Sequence, residues 1–274
     1  MRRRELIRFI GGAAVIWPVV GRARQRVTPV VGVLCAGTAQ ALERYLASFR
    51  EGMRQLGYVE GGNVHFEFRF ADGYLDRLPD LANELVRLNP RVIVSTPLPA
   101  HLAARKATST IPIVMATGAD PVSFGLVASL SHPGGNVTGL ANFAEMLASK
   151  QIDFLREMLP RLTRFGSLVN VSNPLHLPQL RETKNAAKAS GILLVPVEVS
   201  DPDKLDSAFA TLGTERLEAL LVPPDTTFYS RRRQIADLAA KTRLPAIYGY
   251  REHVEVGGLT IPPTLFAHAD EIIE

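Results

Sequence analysis

Short apolar runs alternate with amphipathic segments along most of the chain. The apolar run at residues 28–37 (TPVVGVLCAG) ends in small residues, which is typical of a buried strand. Apolar side chains at spacings of three and four then predict a helix over residues 39–56, and Gly57 ends it. In residues 63–70 every second side chain is apolar, so we predict a half-exposed strand there.

The same alternation continues to residue 250. It predicts further strands at 92–95, 111–117, 166–171, 192–199, 218–224 and 245–250. It predicts helices at 75–88, 98–108, 122–130, 145–159, 176–190, 203–212 and 229–241. Strands that alternate with helices of this length form parallel sheets with helices on both faces, so the fold class is α/β. Four or five strands precede residue 139 and four follow residue 166, which favours two Rossmann-like lobes, with residues 131–140 as the crossover.

Positive charge is concentrated at the N-terminus. The formal net charge is +4, and residues 1–23 hold five arginines against one glutamate, so the rest of the chain is about neutral. The charge therefore gives no reason to expect a nucleic-acid partner. Apolar residues make up 46% and charged residues 21%, a globular rather than a disordered composition.

The first residues have the form of a secretory signal. A basic start at residues 2–4 precedes an apolar stretch at 9–20 that is short for a membrane span, and small residues allow cleavage after Ala23. Residues 3–8 (RRELIR) resemble the twin-arginine export pattern, although the general route stays open. An amphipathic helix of the folded protein is the alternative, and two glycines and a proline within the stretch argue against it. We expect a periplasmic protein.

The sequence carries no recognisable catalytic or metal motif. There is no G-x-G-x-x-G, phosphate loop, G-x-S-x-G or C-x-x-C, and the six histidines have no metal-ligand spacing. Cys35 is the single cysteine, so an internal disulfide is excluded and a small buried side chain is expected. We predict neither a cofactor nor a metal.

Polar side chains recur where each predicted strand ends. Ligands of open parallel sheets bind outside the carboxyl ends of the strands, and helix N-termini there suit small anionic groups. Asp120, Asn173 and Asp225 also stand where helix N-caps are expected, each worth about 1 kcal/mol. Recurrence in six loops favours ligand binding, and the loops are 36–38, 95–97, 117–121, 171–174, 223–227 and 248–252.

Two stretches make the chain recognisable. Residues 111–140 (IPIVMATGADPVSFGLVASLSHPGGNVTGL) and 222–259 (VPPDTTFYSRRRQIADLAAKTRLPAIYGYREHVEVGGL) resemble the ABC-transporter substrate-binding protein family, especially members that bind tryptophan or other aromatic amino acids. The resemblance implies a type I periplasmic binding protein whose two lobes close on a small molecule and present it to a membrane permease. It also implies a monomer without catalytic activity, with an amino acid or similar carboxylate as the ligand.

The resemblance implies roles for particular residues. Thr38 and Thr96 would donate to a ligand carboxylate, and Asp120 or Asp225 would accept from its ammonium group. Asn173 would contribute from the second lobe, and Tyr248 or Phe228 would flank the ligand side chain. Residues 95–101 (STPLPAH) differ from the Gly- or Asn-rich loop of many members, which leaves the preferred ligand open. The predicted set is Thr38, Thr96, Thr117, Asp120, Asn173, Asp225, Phe228 and Tyr248.

The resemblance also implies domain boundaries, and the chain differs from the family at one position. We predict a signal peptide at 1–23, an N-terminal lobe at 27–139, a C-terminal lobe at 140–250 and an abbreviated tail at 251–274. Family members carry further elements between the motifs that here abut near Gly258 and Leu259, so a segment is expected to be absent there. Two alternatives remain: a doubly wound α/β enzyme acting on a small carboxylate through Asp120 or Asp225, and a ligand-sensing domain of a sensor or regulator.

Overall fold

The first lobe is built around a five-stranded parallel sheet. The computed structural model describes residues 28–142, 148–213 and 215–257. The strands are β1 (Val30–Cys35), β2 (His65–Phe70), β3 (Val92–Thr96), β4 (Ile113–Met115) and β5 (Val137–Gly139). They lie in the order β2-β1-β3-β4-β5, and every neighbouring pair is parallel. The order in which strands are added across the sheet therefore reverses between β1 and β3. Open α/β sheets bind their ligands at such a reversal point.

The second lobe repeats this arrangement with four strands. They are β6 (Arg164–Asn170), β7 (Leu193–Val199), β8 (Ala219–Val222) and β9 (Ala246–Tyr248), in the order β7-β6-β8-β9. All pairs are again parallel, and the order reverses between β6 and β8. The α/β prediction of two Rossmann-like lobes with parallel sheets is confirmed.

Helices cover the sheets because the strands are apolar on both faces. In the first lobe they are α1 (Ala39–Gln55), α2 (Leu78–Arg87) and α3 (Leu98–Ala107). The second lobe has α4 (Ala148–Met158), α5 (His176–Ala189), α6 (Leu205–Leu212), α7 (Thr226–Ser230), α8 (Arg232–Thr242) and α9 (Arg251–Gly257). Successive residues of β8 enter opposite cores: Leu220 packs with α6 and α8, and Leu221 with α4 and α5. Cys35 is buried, as predicted.

Three local predictions need correction or refinement. The prediction of a helix at 122–130 is wrong, because the segment forms turns. Gly125 has φ +67°, and the amides of Leu126 and Val127 both donate to the Pro121 carbonyl. Residues 137–139 add a fifth strand within the expected crossover. The helix predicted at 229–241 is two helices, α7 and α8, which meet at Arg231 with φ −106°.

Some predictions fall outside the described residues. The signal at 1–23 lies there, as do Gly258 and Leu259, where the absent segment is expected. None of the helices in the described parts of the chain is long and apolar enough to cross a bilayer.

Candidate functional site

The carboxyl edges of the two sheets meet at α7. The amide of Thr38, in the loop after β1, donates to Ser230 Oγ at 3.3 Å. The hydroxyl of Thr227 donates to the carbonyl oxygen of Gly73 at 3.1 Å. Since Thr38 and Gly73 belong to the first lobe, α7 of the second lobe contacts the loops after β1 and β2 at the carboxyl edge of the first sheet.

Two glycines permit this close approach. A Cβ on Gly37 would lie 2.7 Å from Thr226 Cγ2 and 3.0 Å from Ser230 Oγ. Gly73 has φ +88°, and a Cβ there would lie 2.9 Å from Pro202 Cγ. Larger residues at either position would hold the two lobes apart.

The variant Gly37→Ala should therefore loosen the lobe contact. The added methyl group overlaps Thr226, and we expect a loss of about 1–3 kcal/mol in the free energy of unfolding. Small-angle X-ray scattering should show a larger radius of gyration. Gly52→Ala is the matched control, because its Cβ would meet nothing within 4 Å inside α1, and it should stabilise the protein by about 1 kcal/mol. Equal compactness of the two variants would contradict the role of Gly37.

A buried polar network holds α7 in place. Asp225 is the N-cap of α7 and accepts from the amide of Phe228 at 3.0 Å. Its other carboxylate oxygen accepts from the side-chain amides of Asn170 at 3.2 Å and Asn173 at 2.8 Å. His176 Nε2 lies 3.3 Å from the same oxygen. All four polar side chains of the network are buried, so its hydrogen bonds are formed within the lobe.

The tautomer of His176 follows from its contacts. Its Nδ1 accepts from the backbone amide of Asn170 at 2.8 Å, which leaves Nε2 as the protonated nitrogen facing Asp225. Burial lowers the pKa of His176, and the attraction of Asp225 opposes part of that shift. The neutral ring thus links the end of β6 to the start of α7.

A pocket of about 590 Å³ opens beside the lobe contact. Its lining combines hydroxyl and amide side chains from both lobes with apolar side chains of α1 and the first sheet. The lining residues are Val33, Cys35, Leu42, Tyr45, Leu46, Ser48, Phe49, Val94, Thr96, Pro97, Ala116, Thr117, Asn142, Thr226, Tyr229 and Tyr250. The volume and the mixture of aromatic, apolar and hydroxyl groups suit a small amphipathic molecule.

The aromatic side chains of the pocket support one another across the lobes. Tyr229 contacts Tyr45 edge-on at 6.1 Å between ring centroids and Tyr250 at 5.2 Å. The hydroxyl of Tyr45 donates to Glu252 at 3.0 Å. Burial raises the pKa values of Tyr45 and Tyr250, and of the Cys35 thiol to about 12, so these groups stay neutral at ordinary pH.

The structure separates the eight predicted site residues into three groups. Thr96 and Thr117 line the pocket. Asn173, Asp225 and Phe228 lie together in the buried interior of the second lobe. Thr38 and Asp120 lie on loops outside the pocket lining, and Tyr248 ends β9, also outside it.

Each residue of the third group has its own local contacts. Thr38 caps α1, accepting from the amide of Ala41 at 3.1 Å. Asp120 accepts from Ser123 Oγ at 2.5 Å in the turn that follows, and this bond lowers its pKa. Tyr248 stacks on His253 with ring centroids 5.1 Å apart.

Sequence reasoning missed several pocket residues. Thr226, Tyr229 and Tyr250 enter the pocket from the second lobe, and Asn142 and Tyr45 from the first. Thr226 and Tyr250 stand within predicted loops, so a search for every polar or aromatic side chain of those loops would have found them. Tyr45 was predicted only as an apolar position of its helix, and periodicity gives no sign that it reaches the opposite lobe.

Metal ligation receives no support from the described residues. No group of three or more His, Cys, Asp or Glu side chains among them is placed to hold a metal ion. The hydroxyl groups and aromatic rings of the pocket suit an organic ligand instead.

Two parallel sheets in the same strand order, with a pocket between their carboxyl edges, define a two-lobed binding protein of the type I periplasmic kind. Residues 31–261 match the family described as ABC transporter substrate binding protein, and the chain belongs to that family. The family inferred from the two motifs is thus confirmed.

Known proteins of this kind are similar over most of the chain. The tyrosine-binding protein of Clostridioides difficile is 26% identical over 219 residues, which are 80% of this chain and 63% of that protein. The chain thus spans less than two thirds of the length of this curated relative.

Solved structures share the fold. A conserved domain protein from Vibrio cholerae superposes with a TM-score of 0.76 at 28% identity, over 84% of this chain and 77% of that one. The ABC domain in complex with L-Trp from Streptococcus pneumoniae superposes with a TM-score of 0.75 at 25% identity, over 85% and 77% of the two chains. A leucine-binding protein from Thermotoga maritima shares the fold at 13% identity and a TM-score of 0.60, over 84% and 67%.

Proposed function

We propose that this protein captures a small molecule, an amino acid or similar carboxylate, between its two lobes and delivers it to the membrane permease of an ABC uptake transporter. The single observation that carries the proposal is the pocket of about 590 Å³ that both lobes line at their carboxyl edges. Family membership supports transport, and the relatives that bind tyrosine and tryptophan support an amino acid as ligand.

The hydroxyl groups and the aromatic rings of the pocket suit the two parts of an amino acid. Thr96 and Thr117 supply hydroxyl donors on the first lobe, and Thr226 supplies one on the second. These groups suit a ligand carboxylate. Tyr229 and Tyr250 offer aromatic faces for an apolar or aromatic ligand side chain. A ligand that touches both lobes would stabilise their contact.

We propose a supporting role for the predicted residues that lie away from the pocket. Asn173, Asp225 and Phe228 fix α7, which presents Thr226 and Tyr229 to the ligand. Thr38, Asp120 and Tyr248 remain predicted contacts for a ligand that extends along the loops.

We further propose an exported, monomeric protein, cleaved near Ala23, that binds its ligand without chemical turnover and needs no cofactor. The burial of Asp225 within its own network supports binding over catalysis, because all its carboxylate contacts are internal to the lobe. An enzyme acting through Asp120 is the alternative, and release of a product from the bound ligand would favour it.

The test is isothermal titration of the chain lacking residues 1–23 against the twenty amino acids. We expect one or a few aromatic or large apolar amino acids to bind. Tyr250→Ala should weaken binding roughly 30-fold, since truncating a well-packed aromatic contact costs about 2 kcal/mol. Thr96→Val should weaken it roughly fivefold through one lost hydrogen bond. Tyr58→Ala is the matched control, because Tyr58 is exposed and outside the pocket.

Two outcomes would contradict the proposal. If none of the twenty amino acids binds, the proposed class of ligand is wrong. Equal weakening by Tyr58→Ala and Tyr250→Ala would place the site elsewhere.

A further inference from the structure

A buried histidine lies beneath the first-lobe side of the pocket. His101 belongs to α3 and has no solvent exposure. Its Nδ1 lies 2.7 Å from Ser95 Oγ, and its Nε2 lies 2.7 Å from the carbonyl oxygen of Thr117. Both nitrogens of the ring are therefore engaged, one with β3 and the other with the loop after β4.

The direction of the two hydrogen bonds follows from the partners. The Thr117 carbonyl can only accept, so Nε2 carries the proton and donates to it. Nδ1 is then the acceptor, and the hydroxyl of Ser95 donates to it. Burial lowers the pKa of His101 to about 4, which keeps this neutral tautomer at ordinary pH.

These two partners stand next to pocket residues. Ser95 immediately precedes Thr96, which lines the pocket, and Thr117 itself lines the pocket through its own side chain. The loop after β4 is also fixed by the amide of Ala116, which donates to the Ser95 carbonyl at 3.0 Å. The imidazole thus joins the ends of β3 and β4, which carry the two threonine hydroxyls of the first lobe.

The next residue is fitted to the ring. A Cβ on Gly118 would lie 2.6 Å from His101 Nε2, so the loop can pass over the imidazole only with glycine there. A purely apolar side chain would fill the space beneath the loop but could not anchor the Thr117 carbonyl. The hydrogen-bonding capacity of His101, and not its volume alone, is what the loop uses.

We propose that His101 is a positioning residue of the ligand pocket, which sets the loop of Thr117 at a fixed distance from Thr96 through its two hydrogen bonds. The expected effect of His101 on ligand affinity rests on the proposed function. Its effect on the loop is independent of which ligand is bound.

Hydrogen exchange by mass spectrometry tests the effect on the loop. In His101→Leu we expect amides of residues 116–120 to exchange at least tenfold faster, with α5 of the second lobe unchanged as internal control. His101→Gln can still donate to the Thr117 carbonyl and should restore most of the protection. Ser95→Ala, which removes only the second bond, should give an intermediate rate.

Titration with the tightest-binding amino acid supplies the second readout. We expect His101→Leu to weaken binding at least tenfold and His101→Gln to recover most of the affinity. The inference is wrong if exchange at residues 116–120 is unchanged in His101→Leu, or if β1 and this loop exchange faster by the same factor. It is also wrong if His101→Gln restores neither the protection nor the affinity. If wild-type protein binds no amino acid, the proposed function fails while the exchange rates still decide the role of His101. If His101→Leu does not fold, the exchange rates and affinities of His101→Gln and Ser95→Ala are compared with those of the wild type instead.

Discussion

Replacing Asp225 by alanine should lower the free energy of unfolding by about 3–5 kcal/mol, the range for removing one partner of a buried charged network. The variant loses the N-cap of α7 and leaves the side-chain amides of Asn170 and Asn173 without their shared acceptor, and it removes the carboxylate that lies 3.3 Å from His176 Nε2. Each stranded buried donor costs about 1–3 kcal/mol. Urea unfolding followed by circular dichroism measures the loss.

Asp120, a carboxylate at the surface of the first lobe, provides the control. Asp120 also accepts two hydrogen bonds, from the amide of Val122 and the hydroxyl of Ser123. It stands in a solvent-facing turn, so Asp120→Ala should cost about 1 kcal/mol or less. If the two variants were equally stable, the Asp225 network would have no structural importance.

Acidification should destabilise the protein well before its carboxylates are protonated. Burial lowers the pKa values of His101 and His253 from the usual 6.5 of histidine to about 4. Between these values the unfolded chain binds protons that the folded chain excludes, so stability falls as pH drops from 6.5 toward 4 and is constant above 6.5. Each histidine should remove about 2 kcal/mol at pH 5 and about 3 kcal/mol below pH 4.

Denaturant unfolding at pH 7 and pH 5 measures this dependence. His101 and His253 together should remove about 4 kcal/mol from the wild type between the two values, and the lowered pKa of buried His176 adds a loss in the same direction. His101→Gln should lose about 2 kcal/mol less than the wild type, because glutamine does not titrate. His132→Gln, which replaces an exposed histidine, should keep the full dependence. A wild-type stability that is flat over this range would contradict neutral burial of the two rings.

Much of the fold was available from the sequence because burial on both faces of a parallel strand leaves a continuous apolar run. The predicted strands at 192–199 and 218–224 correspond to β7 and β8, and the helix at 176–190 corresponds to α5. The failure at 122–130 has a specific cause. Leu126 and Val127 are buried, but Gly125 adopts a left-handed conformation that the apolar pattern does not reveal.

The sequence was less informative about the pocket. Loops at the carboxyl edges could be located, since each follows a strand, and Thr96 and Thr117 lie where that reasoning placed them. Adjacent residues of one loop nevertheless differ: Asp225 is buried in its lobe, and Thr226 lines the pocket. Their orientation depends on the turn into α7 and on the close approach of Gly37, contacts between residues far apart in the chain.

The sequence by itself determined the α/β class, the two lobes, the family and the carboxyl edge of the sheet at which the pocket lies. These follow from periodicity, strand ends and motifs, which are local properties of the chain. Only the tertiary structure decided that Tyr45, Tyr229 and Tyr250 meet across the lobes and that His101 joins the end of β3 to the loop after β4. Such contacts depend on how separate elements pack, and no local pattern specifies the distance between side chains that long-range packing brings together.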